Sequence, residues 1–367
     1  MEKEQFRSNA MDMLYLTRCA VNGEVPDKKK ISQIDLDCLF IVCQKHILTA
    51  CVAYALETAG IRNHDFIQAK EKAIRKNILL DAERRKILNR LEQEHIWYMP
   101  LKGALLKDWY PKLGMRQMSD NDILCDKKYR ARIKEIMLDM GFRCDHFESG
   151  NDDAYFKEPV CNFEMHSELF AVTHVSSLYK YYTAVKERLL KDENNAYGYH
   201  FSPEDFYIYI TAHEYKHCTE GGTGVRTLLD TYIFMKKFDN ILDWSYINAE
   251  LEKLEITEFE QGNRRLAMKF FSGEKLTKEE TERLDYYIFS GTYGSIQNKI
   301  DIALENNSKS QYFFRRIFPT TDQLKTYWPF FYRHKWLLPV LWIYRPIRGL
   351  LFNTKKVKAE MKYLNKK

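Results

Sequence analysis

Apolar side chains in this chain recur at helical spacing up to about residue 94, lose that period between residues 95 and 166, and regain it from residue 202. A period that changes from helical to pleated and back constrains the architecture more than any single motif, because a helical stripe cannot serve as a strand face. In the first block Ile41, Ile47, Leu48, Val52, Ala55 and Leu56 share helical spacing, as do Ile74, Ile78, Leu79, Ile87 and Leu88, with a break at GIRNH (60–64). In the middle, HIWYMP (95–100) suits a short buried strand, and GALLKDW (103–109) opens a helix directly after it. DNDILCD (120–126) reads as a second strand, followed by a basic amphipathic helix over 127–140 that ends at Gly141. Further strands are expected at 142–147, 154–157 and 161–166. Ser202, Pro203 and Glu204 then start a helix with proline in its first position, and helices are expected to about residue 305.

These segments predict an α+β fold in which a small mixed β-sheet core is flanked by helical N-terminal and C-terminal domains. The expected divisions are a helical N-terminal subdomain (1–94), an α/β core (95–200), a helical C-terminal domain (201–310) and a basic aromatic tail (311–367). A chain of 367 residues can bury a sizeable core, and 45% hydrophobic with 29% charged residues is ordinary for a globular protein, so disorder is not the default reading. The eight cysteines lack C-x-x-C spacing and read as reduced core thiols, not as a disulfide framework. The opening residues MEKEQFRSNAMDMLYL lack the basic start and apolar run of a secretory signal, so a cytoplasmic location is expected.

Residues two apart in a strand point to the same face, so Asp120 and Asp122 project together while Asn121 faces away. Two carboxylates on one patch repel and raise each other's pKa unless a cation or a shared proton relieves them, and hard oxygen ligands favour magnesium. The plainer reading of SDND is a polar turn. The apolar continuation Ile123, Leu124 and Cys125 argues for a strand with the carboxylates at its start. In CNFEMH (161–166) Asn162, Glu164 and His166 share a face while Phe163 and Met165 face the core, so Glu164 is the candidate third acid.

Leu101-Lys102-Gly103, Tyr110-Pro111, Arg116, Asp120-Asn121-Asp122 and Glu164-Met165-His166, in this order and spacing, make the chain similar to the uncharacterised bacterial nucleotidyltransferase family of the polymerase-beta-like nucleotidyltransferase superfamily. The resemblance is densest over 101–142, looser to His166, and extends weakly through the helical half, where His213, Arg226 and Asp230 have counterparts. Asn121 stands where an apolar residue is usual, and Ala104 where a serine is frequent. The resemblance implies a nucleotidyltransferase core in which magnesium, or manganese in its place, rests on the catalytic trio Asp120, Asp122 and Glu164. An acceptor hydroxyl would attack the α-phosphate of a nucleoside triphosphate, with ATP the expected donor, and pyrophosphate would leave. Glu164 would complete the metal site or activate the acceptor. Lys102, Gly103 and Ala104, where a strand meets a helix N-terminus, suit a phosphate, with Arg116 as a further cation. His166, His213, Lys216 and Arg226 are the other candidate nucleotide-binding residues. A sugar, an antibiotic, RNA or a protein hydroxyl would each serve as the unknown acceptor.

HEYKH (213–217) is a competing motif, since H-E-x-x-H on a helix places two imidazoles on one face for zinc with the glutamate as general base. A zinc hydrolase is therefore one alternative, and a catalytically silent nucleotide-binding or membrane-surface module is another. Against the hydrolase, no third ligand is evident, and Ile208, Ile210 and Ala212 give the helix a packing face.

The net charge of +6 is uneven: residues 311–367 carry thirteen Lys and Arg against Asp322 and Glu360, which leaves the body mildly acidic. Within WPFFYRHKWLLPVLWIY (328–344) the uncharged stretch is nine residues, too short for a transmembrane segment. A helical hairpin packed on the body is the first expectation for this tail. Peripheral membrane contact through 328–351, at the inner face, is the second, and a nucleic-acid surface the third.

Overall fold

The computed structural model describes residues 1–292, 294–305, 307–352 and 354–364. Helices Lys3–Asn22, Leu36–His46 and Thr49–Thr58 open the chain, and the 30-residue helix His64–Gln93 follows the expected break. Asn63 starts that long helix by accepting hydrogen bonds from the N–H groups of Asp65 and Phe66. One face of it, carrying Leu80, Ile87 and Leu91, lies on the sheet.

The sheet has five strands: β1 (Tyr98–Pro100), β2 (Asn121–Cys125), β3 (Arg143–His146), β4 (Asp152–Lys157) and β5 (Cys161–His166), in the order β1-β2-β5-β4-β3. β2 and β5 are parallel, and the other pairs are antiparallel, so the sheet is mixed. Alternation decides what each face meets. Tyr98, Ile123, Cys125, Phe163 and Met165 share a core with the helices His64–Gln93 and Arg130–Asp139. Met99 and Leu124 point the other way, into a core with Phe206, Tyr209, Ala212, Phe234 and Leu251. Burying Phe163 or Met165 contributes roughly 2 kcal/mol each, which holds the register that places Glu164 on the opposite face.

The second core comes from helices Pro203–Glu220, Arg226–Phe238 and Trp244–Lys253. Ser202 starts the first of them, accepting from the Asp205 N–H, with Pro203 in the first turn. A third core joins the N-terminal helices to the helices over 225–288: Ala10, Met13, Cys51 and Val52 pack with Val225, Leu229, Phe271 and Tyr287.

Beyond residue 295 most of the described residues are helical. Leu338–Phe352 lies against Lys309–Ile317 and Thr354–Leu364, while Ile296–Glu305 bridges Thr354–Leu364 and Pro203–Glu220. Among the described residues, no helix is long and apolar enough to cross a membrane.

Candidate active site

β2 and β5 lie side by side with Asp122 directly opposite Glu164 and Leu124 opposite His166. On this face His166 Nε2 is 2.9 Å from Asp122 Oδ1 and 3.7 Å from Glu164 Oε2. One potential ligand atom from each of Asp122, Glu164 and His166 falls within 4.8 Å of the others. Asp120, one residue before β2, lines the same cavity of about 330 Å³.

The charges in this corner are unbalanced. Burial would raise Asp122, but the Lys102 ammonium, 3.3 Å away, and the His166 hydrogen bond outweigh it and hold that carboxyl well below its usual range. Asp120 and Glu164 are both pushed up, first by burial and then by Asp122. Asp152, at the start of β4 and opposite His166, adds a further carboxylate to the cavity wall and also raises Glu164. Among the described residues Lys102 is the one lysine or arginine in an ion pair with any of these four acids, and a divalent ion would relieve their repulsion.

Lys102 occupies the tight turn between β1 and the helix Gly103–Leu106 with φ +43°, a conformation that costs a non-glycine residue about 1–3 kcal/mol. Gly103 leaves room there, because a Cβ would press on Arg116 Nη1 and the end of the Met118 side chain. The expected helix over 103–109 is a single α-turn followed by a 3-10 turn, Lys107–Trp109. Pro111 explains the stop, since it drives Tyr110 into an extended conformation. So short a helix has little dipole to offer a phosphate. Ala104 is buried, donates its N–H to the Leu101 carbonyl and does not line the cavity.

Arg116 lines the cavity but is already engaged: its Nε and Nη2 reach the two oxygens of Asp230 at 2.8 and 2.9 Å, and Tyr110 donates to the same carboxylate at 2.7 Å. Arg226 and Lys216 are freer. Arg226 donates to the Gln117 carbonyl at 3.1 Å, and among the described residues neither it nor Lys216 forms an ion pair. Burial lowers both, Arg226 further through Arg116, as expected for cations short of partners.

The HEYKH residues occupy the cavity's helical wall. His213 and His217 face each other with Nε2 atoms 3.2 Å apart. Burial holds both rings neutral, helped by Lys102 at His213 and by Lys216 at His217, whose pKa falls to about 3. Glu214 is not poised as their base: Tyr287, Thr227 and Asn263 all donate to its Oε1. Among the described residues, the one group with three metal-ligand side chains in reach is Asp122, Glu164 and His166, not the histidine pair.

The cavity therefore gathers Lys102, Gly103, Arg116, Asp120, Asp122, Glu164, His166, His213, Lys216 and Arg226, and leaves out Ala104. Sequence reasoning missed Asp152 and the neighbouring Asn151. Starting β4 at residue 154 left the aspartate in a loop, although Asp152, Ala154 and Phe156 continue one alternation.

Neither a comparison with curated proteins nor one with solved structures finds a match. The family described as uncharacterised nucleotidyltransferase does match, over residues 32–272, a span that takes in the sheet and both walls of the cavity. With about two thirds of its length matched and its acidic strand ends intact, the chain belongs to the uncharacterised nucleotidyltransferase family.

Proposed function

We propose that the cavity transfers a nucleoside monophosphate from a nucleoside triphosphate, with ATP as the donor, to an acceptor hydroxyl and releases pyrophosphate. The observation that carries this reading is the convergence of Asp122, Glu164 and His166 within 4.8 Å, facing Arg226 and Lys216 across the cavity. The donor set, oxygen-rich with one imidazole and deficient in positive charge, fits magnesium or manganese. Asp122 and Glu164, with His166 beside them, would hold the ion, and Asp120, which lines the same cavity, would add a further carboxylate. Bound there, such an ion neutralises phosphate charge and polarises the phosphorus–oxygen bonds.

The protein's own groups supply the rest. Arg226 and Lys216, which form no ion pair among the described residues, bind phosphate oxygens. Arg116, tied to Asp230, acts as a positioning residue for the Gly103 turn. The acceptor oxygen attacks the α-phosphorus, its proton passing to a carboxylate of the cavity, as the new oxygen–phosphorus bond forms and the α–β bridge breaks toward pyrophosphate. The acceptor is a hydroxyl compound small enough, or exposed enough, to reach Glu164.

Incubation of the protein with α-labelled triphosphates, magnesium and cell extract tests this. Label should pass to an acceptor with the parent chain and not with Asp122→Asn, and γ-labelled ATP should leave none. Labelling that survives Asp122→Asn, or stoichiometric zinc lost on His213→Ala, would sink the reading.

A further inference from the structure

We propose that the outer face of the helix Leu338–Phe352 seats this protein on an anionic lipid bilayer. Val340, Ile343, Tyr344, Ile347 and Leu351 recur at spacings of three and four residues and so share one side of the helix, exposed by 56, 64, 47, 49 and 68%. Trp336, 77% exposed, extends the apolar surface beyond the helix start, and Phe352, 78% exposed, extends it at the far end. Soluble surfaces rarely carry so continuous an apolar face without a partner. The helix cannot simply turn it inward, because its opposite side is already used: Leu341 is fully buried, and the Trp342 ring packs edge-on against Phe318 at 5.0 Å.

Charge identifies the occupant. Residues 328–352 contain no Asp or Glu. Arg333, Lys335 and Arg348 are exposed, and among the described residues they form no ion pair. Arg345 is engaged internally, over the Trp328 ring at 4.6 Å and donating to the Ile317 carbonyl at 3.1 Å. Lys335 stands over the Tyr332 ring at 5.5 Å with no carboxylate partner among the described residues, and an aliphatic stripe edged by such cations matches a bilayer whose headgroups are anionic and whose interior is hydrocarbon. A second copy of the chain would bring like charges together, and a nucleic acid would satisfy the cations while leaving Val340, Ile343, Ile347 and Leu351 in water. At 15 residues the helix is about 22 Å long and carries Arg345, Pro346 and Arg348, so it lies in the interface and does not span it. This attachment is independent of the nucleotidyl-transfer reading and uses no residue of the cavity.

Flotation of the full chain with phosphatidylcholine vesicles, with and without phosphatidylglycerol, tests it. The parent chain should float with the anionic vesicles alone, and less so as salt rises. Ile343→Asp with Ile347→Asp should lower partitioning by at least about a hundredfold, and Lys335→Glu with Arg348→Glu by at least about tenfold. All four positions are exposed, so circular dichroism should be unchanged; if one pair fails to fold, the other decides. The proposal is overturned if the parent chain does not float, if the aspartate pair still floats as the parent does, if light scattering shows a dimer that the aspartate pair dissolves, or if single-stranded RNA and not lipid binds this face.

Discussion

Asp230 is a buried acid on which two other buried groups, Arg116 and Tyr110, both depend. Asp230→Asn leaves a buried guanidinium half compensated and is expected to cost about 3 kcal/mol, whereas Tyr110→Phe removes one hydrogen bond and should cost about 1 kcal/mol. Replacing both members, Arg116→Met with Asp230→Leu, should restore most of the loss; urea titration of the three variants checks the order. Glu214 is a different case. Burial pushes its pKa up to about 7 against the hydrogen bonds from Tyr287 and Thr227. An acid raised in the folded state binds its proton more tightly there, so its favourable contribution is complete below about pH 4.5 and is lost as pH rises through about 7. Glu214→Gln should therefore gain on the parent chain as pH increases, by up to roughly 3 kcal/mol at pH 8. Equal urea midpoint differences at pH 5 and pH 8 would refute this.

Among the elements, the turn from β1 into Gly103–Leu106 sets the geometry of one cavity wall. Gly103→Ala forces a Cβ against Arg116 Nη1 and Met118 Cε, and is expected to destabilise the fold by about 1–3 kcal/mol. Because that same turn aims Lys102 at Asp122, nucleotide labelling should fall more than stability does, which thermal melts and labelling rates measured together will show. Elements also explain what was readable in the sequence. The carboxylates Asp122 and Glu164 were legible because strand alternation with Ile123, Leu124, Phe163 and Met165 is a local signal. Their adjacency was not, since the parallel register of β2 with β5 joins residues about 40 positions apart and leaves no local trace. Asp152 escaped for a related reason: it begins a strand whose first residues are polar.

The whole molecule brings the cavity's two walls from distant stretches of chain, sheet on one side and the helices Pro203–Glu220 and Arg226–Phe238 on the other. The core shared by Ala10 and Met13 with Val225 and Phe271 ties the first helices to the last of the matched family span, a long-range pairing that helical spacing alone cannot announce. A ligand that touches both walls should then report on global unfolding. Without a divalent ion, the acids of the cavity repel, and Glu164→Gln should raise stability by about 1–2 kcal/mol. With magnesium and a triphosphate at about 100 times its dissociation constant, the parent chain should gain about 2.7 kcal/mol by mass action, and the variant, short of one ligand, should gain less. The two melting curves are thus expected to exchange order when ion and nucleotide are added. If Glu164→Gln is the more stable protein under both conditions by the same margin, the carboxylates are not a cation site, whatever else the cavity binds.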